Sequence, residues 1–157
     1  EADHTKAMMR QLGDVVFWRV AMRPGRPMAV GRMAAPGRPN AAVMFGLPGN
    51  PVAVMVTFAA FVRPALKQLM GWQAPPLPLL KAKSTEALRK KPGRTEYQRG
   101  IVSTNPAGEL QVSITGNQGS GVLSSMVQAN GLIVLGHAQG NVAVGDEVDV
   151  MMFDGHL

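Results

Sequence analysis

Ala41-Ala42-Val43-Met44-Phe45-Gly46-Leu47-Pro48-Gly49-Asn50-Pro51-Val52-Ala53-Val54-Met55-Val56 is the stretch from which the architecture can be read. Ala41–Leu47 is apolar and of strand length, and Pro48-Gly49 marks a turn. Asn50 is a good N-cap, and Pro51 has the fixed φ and missing N–H that suit the first helical position. Val52 to Phe61 is apolar nearly all round, which predicts a buried helix. Pro64 is expected to kink or end it, with a further turn running to Gly71.

Working outward, Pro48-Gly49-Asn50-Pro51 is the third copy of a P-G-x-P pattern, after Pro24-Gly25-Arg26-Pro27 and Pro36-Gly37-Arg38-Pro39, at a spacing of twelve residues. Proline followed by glycine suits a type II turn. The intervening Met28–Met33 and the β-branched and aromatic Val15–Val20 read as strands, giving strand, turn, strand, turn, strand. A short helix is expected over Asp3–Leu12, capped by Asp3 or Thr5 and stopped by Gly13. Downstream, Gln73-Ala74-Pro75-Pro76-Leu77-Pro78 reads as a linker. Strand-like runs follow at Leu79–Lys83, Thr95–Ser103, Leu110–Thr115, Leu132–Leu135 and Glu147–Phe153, punctuated by Gly and Asn. This spacing predicts a small β-barrel or sandwich of about 80 residues. Two domains are expected, 1–72 and 73–157.

Composition narrows the chemistry. With no cysteine among 157 residues, disulfides, thiolate zinc sites and cysteine nucleophiles are excluded. His4, His137 and His156 lack metal-ligand spacing, and no G-x-S-x-G or Walker sequence occurs. No apolar run is expected to reach the roughly 18 residues of a membrane span, and no signal-peptide pattern opens the chain. Charge is divided unevenly: residues 1–100 hold all 16 Lys and Arg against 5 acids, whereas 101–157 hold 5 acids and no base. Such asymmetry points to an anionic partner for the first two thirds of the chain, or to a plain basic face.

Three places could meet an anion. The helix start at Asn50-Pro51 offers unpaired N–H groups, and Gly49 lets a ligand approach, although the same residues serve an ordinary capped helix. Arg19 and Arg23, four apart on an extended strand, are expected to project to one face, with Arg26 in the turn beyond. Guanidinium groups grip oxyanions through paired hydrogen bonds, and a solvated basic strand is the competing reading. Lys91, Arg94 and Arg99 add cations beside a strand, and Asn117-Gln118-Gly119-Ser120-Gly121 supplies neutral donors or a plain glycine-rich turn. Asp3 is the main acid of the basic portion, a helix cap by residue type.

In this order, Glu1-Ala2-Asp3, Phe17-Trp18-Arg19, Arg23-Pro24-Gly25-Arg26-Pro27, Phe45–Val52, Pro92-Gly93-Arg94, Gln98-Arg99-Gly100, Gln118-Gly119-Ser120 and Gly140-Asn141-Val142 resemble the molybdopterin molybdenumtransferases, the molybdenum-insertion family related to the C-terminal domain of gephyrin. The resemblance implies α/β plus all-β architecture: the C-terminal part of an α/β/α pterin-binding domain, followed by a small β-barrel. It implies a transferase of molybdenum cofactor biosynthesis, which inserts molybdate into adenylyl-molybdopterin and releases AMP with a divalent cation such as Mg2+. It also implies a cytoplasmic setting, no membrane or nucleic-acid partner, and a homodimer for the full-length protein. By matching positions, Asp3 is the expected catalytic and metal-contacting acid. Arg19, Arg23, Arg26, Pro48, Gly49, Asn50, Pro51, Arg94, Arg99 and Ser120 are the expected substrate-binding set, with Arg23, Arg26, Arg94 and Ser120 on molybdate.

There are departures from the family pattern. Arginine stands for lysine at Arg19, Arg23 and Arg26, His4 for tyrosine and Ala53 for serine. The family's G-G-V-S-V-G segment would end immediately before Glu1, which reads as a C-terminal fragment lacking the first strands of the pterin domain, most metal-binding acids and the dimer-forming domains. Such a fragment is expected to be inactive alone and, with open sheet edges, prone to association. The alternative is a non-enzymatic anion- or peptide-binding module, either a nucleic-acid binder or a gephyrin-like scaffold. Only 8 aromatics in 157 residues speak against a base-stacking platform.

Overall fold

β-Branched and aromatic residues that alternate in exposure build the first strand. In a computed structural model describing residues 11, 13–34, 37, 41–73, 78–116, 118–119 and 123–153, the chain opens with β1 (Gly13–Arg19), β2 (Met22–Arg23), β3 (Pro27–Met33) and β4 (Ala42–Gly46). β1, β3 and β4 form an antiparallel three-stranded sheet in that order, with Phe17 opposite Ala29 and Ala29 opposite Gly46. The strand, turn, strand, turn, strand reading holds, because Gly25 (φ 101°) and Gly37 (φ 77°) take the left-handed conformation that their turns require. Gly49 does not, so the third P-G-x-P is a helix entry rather than a third such turn. The helix expected over Asp3–Leu12 lies almost wholly outside the described residues, as does much of the linker at Gln73–Pro78.

The helix beyond β4 is capped as its sequence predicts. Ala53 N–H donates to Asn50 Oδ1 at 3.1 Å, with Pro51 in the first turn. α1 (Pro51–Thr57) passes through a π-helical turn (Phe58–Val62) into α2 (Arg63–Leu69). Pro64 therefore does not end the helix. The wider turn, marked by Arg63 N–H donating to Phe58 O, falls where a proline removes an N–H and crowds the preceding turn. Gly71 N–H to Gln68 O and Trp72 N–H to Lys67 O then close a Schellman cap around Gly71 (φ 81°). Because the helix runs through Arg63 and Pro64, Pro51–Leu69 reaches 19 residues at mean hydropathy 1.4, long and apolar enough to cross a membrane by length and composition. Val52, Ala53, Val56, Thr57, Ala59 and Val62 are nevertheless buried within the protein, as in the core helix of a globular unit.

The second unit is a closed barrel of five strands: β5 (Leu80–Ser84), β6 (Thr95–Thr104), β7 (Leu110–Ile114), β8 (Gly131–Leu135) and β9 (Glu147–Met152), with α3 (Ser124–Gln128) before β8. Closure falls to β6. Its first half pairs with β8 and its second half with β7, and Gly100 belongs to both registers, opposite Gly131 and Ile114. A Cβ at Gly100 would stand 2.8 Å from Val112 Cγ2 and 3.0 Å from Ile133 Cγ1, so only glycine turns this corner without displacing the core. Inside lie Ala82, Val102, Val112, Ile133, Leu135, Val148 and Val150.

The two units are joined by more than the linker. β2 pairs in parallel with the start of β6, Met22 with Thr95 and Arg23 with Glu96. A second core there combines Met22, Val52 and Val56 with Met126 and Leu132. Gly100→Ala should destabilise the chain by about 1–3 kcal/mol through overpacking, read as a lower urea midpoint; an unchanged midpoint would show that the corner has slack.

Candidate functional site

A cleft of about 830 Å³ opens where β2, the helix entry and the barrel meet. That is the size of a small-molecule site. Its lining includes Arg23, Pro24, Gly25, Arg26, Pro48, Gly49 and Asn50 from the first unit, and Arg89, Arg94, Glu96, Tyr97, Gln98, Arg99 and Gln118 from the barrel. Of the expected binding residues, seven are brought together: Arg23, Arg26, Pro48, Gly49, Asn50, Arg94 and Arg99. Asp3 and Ser120 lie outside the described residues. Arg19 and Pro51 are described but do not line the cleft.

Arg19 diverges for a geometric reason. β1 ends at Arg19, exposed and opposite Pro27, and Met22 N–H donates to Val20 O in a tight turn. Arg19 and Arg23 therefore sit on different strands of different sheets, and the expected common face does not form. At the helix entry, Asn50 accepts the Ala53 N–H through its side chain and the Val54 N–H through its carbonyl, while Pro51 has none. The entry thus offers fewer N–H groups to a ligand than an uncapped helix would.

Hydrogen bonds behind the lining hold part of the barrel wall. Leu88 and Val142 exchange backbone hydrogen bonds, the Lys90 N–H donates to Asn141 Oδ1, and buried Lys90 Nζ donates to Lys91 O and Gln139 O. These bonds fix the cleft wall around Arg89, and they give Gly140-Asn141-Val142 a structural task. Arg99, only 2% exposed, donates from Nε to Ser125 Oγ at 2.9 Å and from Nη2 to Gly119 O at 3.1 Å. The Gln118 amide clasps the backbone of the same residue, accepting from Arg99 N at 2.8 Å and donating to Arg99 O at 3.1 Å. Burial first, and then the positive charge of Arg23, lower the Arg99 pKa from the ordinary guanidinium value.

Sequence reasoning missed Glu96 and Arg89. Glu96 is 5% exposed and accepts from Arg94 Nε at 2.9 Å and Gln98 Nε2 at 3.5 Å. The signal was the period of two: Arg94, Glu96 and Gln98 are spaced to share one face of a strand. Among the described residues no group of three His, Asp or Glu is placed to hold a metal ion, and the expected Mg2+ contact, Asp3, lies outside them. The donor set in view therefore fits an anion and not a cation. Arginines from both units, with neutral amides between them, can neutralise and orient oxyanions by paired hydrogen bonds.

Arg99→Ala should cost about 2–5 kcal/mol, since it removes a buried side chain together with the bonds to Ser125 and Gly119; a shift of less than about 1 kcal/mol in chemical denaturation would contradict that role. Burial raises the Tyr97 pKa, so the folded state favours the neutral phenol. That contribution is complete below about pH 10 and falls as pH rises further. Tyr97→Phe should accordingly flatten the alkaline decline in the urea midpoint.

Comparison with known proteins identifies relatives of both units. Residues 81–153 match the sequence family described as MoeA C-terminal region (domain IV), and residues 1–68 match that described as probable molybdopterin binding domain. The molybdopterin molybdenumtransferase of Haemophilus influenzae is 40% identical over 160 residues, which cover 100% of the chain and 37% of that protein. Gephyrin of Dictyostelium discoideum is 37% identical over 167 residues, covering 96% of the chain and 23% of that protein. A crystal structure of molybdopterin biosynthesis moeA protein from Pyrococcus horikoshii superposes at TM-score 0.75 with 24% identity, over 98% of the chain and 36% of its own. The chain thus spans about a third or less of the length of these relatives.

Proposed function

The chain belongs to the molybdopterin molybdenumtransferase family of molybdenum cofactor biosynthesis, and from that premise we propose that its cleft binds molybdate and the phosphate-bearing pterin together. The reaction we assign to the whole protein is insertion of molybdate into adenylyl-molybdopterin, with release of AMP. One observation carries this reading. Five arginines (Arg23, Arg26, Arg89, Arg94 and Arg99) converge from both units on a single cleft, where Glu96 is the one carboxylate among the described lining residues.

Both substrates are oxyanions, so bringing them together requires their mutual repulsion to be neutralised. Arg23 and Arg26 reach the cleft from the first unit and Arg94 from the barrel, so anions held between them would be fixed in position as well as screened. Pro24, Gly25, Pro48 and Gly49 line the cleft without bulky side chains. Mg2+ enters this reading only through Asp3, because the carboxylate in view is already engaged by Arg94.

Arg23→Ala and Arg94→Ala should each weaken molybdate binding by about tenfold or more, the loss of one charge-assisted contact, as measured by titration calorimetry on the folded chain. Wild-type affinity in both variants would sink the assignment.

A further inference from the structure

Glu96 is out of place by two measures. It is an acid in a cleft built for anions, and it occupies a barrel-interior position. In the β6–β8 register Glu96 stands opposite Leu135 and Gln98 opposite Ile133, and both partners are buried in the barrel core. An aliphatic side chain would fill that position without the desolvation that a carboxylate suffers. Its negative charge also opposes the anion affinity of its neighbours. Neither packing nor ligand charge accounts for it.

Its contacts do. Arg94 Nε donates to Glu96 Oε1 at 2.9 Å, and Gln98 Nε2 approaches Oε2 at 3.5 Å, so the carboxylate is held on both oxygens. The Glu96 side chain is 7% exposed and that of Arg94 42%, which makes the acid the fixed partner and the arginine the one reaching toward solvent. A guanidinium bound at Nε is gripped by its inner edge. The terminal nitrogens of Arg94 have no hydrogen-bond partner among the described residues, and Arg94 lines the cleft. Arg23 stands beside Glu96 in the β2–β6 register, so an arginine of the other unit is its neighbour across the strand pair.

We propose that Glu96 is a positioning residue: its carboxylate fixes Arg94 by the Nε edge, so that the terminal N–H groups are presented as a preformed fork for a tetrahedral oxyanion. This rests on the molybdate reading above. An unpinned arginine must lose its rotamer freedom on binding, whereas one fixed beforehand has already lost it. The negative charge is the cost of that order, and it is tolerated because Arg94 pairs with it.

Two variants separate position from charge. Glu96→Gln keeps an oxygen at the same reach and removes the charge, whereas Glu96→Asp keeps the charge and withdraws it by one methylene. In calorimetric titration of the chain with sodium molybdate, Glu96→Gln is expected to bind within about threefold of wild type and Glu96→Asp at least tenfold more weakly. In parallel, the Arg94 Nε–H resonance, assigned by its loss in Arg94→Lys, should be slow to exchange in wild type and Glu96→Gln and fast in Glu96→Asp. Wild-type affinity in Glu96→Asp, or an equal loss in both variants, overturns the proposal, as does an Arg94 Nε–H signal that Glu96→Asp leaves unchanged. A wild-type chain that binds no molybdate defeats the function assigned to the cleft, and the resonance then still decides whether Glu96 holds Arg94.

Discussion

Two residues of parallel pairing hold the site together. Met22 and Arg23 leave the first sheet, lie against Thr95 and Glu96, and so bring an edge of one unit onto the strand that closes the other. Two residues of ladder contribute little by themselves; what secures them is Met22, buried with Val52 and Val56 of the helix and Met126 and Leu132 of the barrel. The alternation of the strand then has a direct chemical effect. With Met22 in the shared core, Arg23 is exposed on the cleft, next to Glu96 in register. The cleft is thus a by-product of docking two folds, and its charge pattern follows from which residue of β2 faces which way.

The electrostatics of that junction are unbalanced. Arg99 is buried and lowered in pKa in part by Arg23, so two guanidinium groups oppose one another across the unit boundary. Hydrogen bonds to Ser125 and Gly119 hold Arg99 in place against this repulsion. The acids of the later sequence offer no relief, since Glu147 and Asp149 pair with Lys81 and Glu109 with Lys83 on the exposed flank of β5, outside the cleft lining. An anion placed between the arginines would therefore lower the energy of the protein as well as its own. The uneven distribution of charge along the sequence is the linear trace of this arrangement.

Much of the fold was legible because local chemistry and tertiary structure agree. The three strands of the first sheet, the Asn50 cap and all five barrel strands appear within a residue or two of where alternation and turn residues put them. What was not legible depends on partners remote in sequence. β2 is too short to show a period, and its strand identity comes entirely from β6. That omission placed Arg19 and Arg23 on one strand. α3 has no capping side chain and few apolar residues, so Ser124–Gln128 gave no helical signal. Pro64 was expected to kink or end the helix; it does not end it, because a π-helical turn, which has no sequence signature of its own, accommodates it. In the site, most of the cations were legible as a charge pattern; Arg89 and Glu96 were not, although the period of two from Arg94 into β6 pointed to the acid.

The β2–β6 pairing also fixes an order of events in time. Met22-Arg23 is made about 70 residues before Thr95-Glu96, which is several seconds of synthesis at about 5–20 residues per second. Until β6 arrives, β2 has no partner; β6 can pair with β7 soon after it is made, but its first half gains β8 only with Gly131–Leu135, and the ring closes only when Leu80 meets Val150. Contacts so distant along the chain form slowly, because loop-closure entropy is lost before their energy is gained. The cleft between the two units consequently depends on pairings of long sequence separation, the class of contact that forms most slowly.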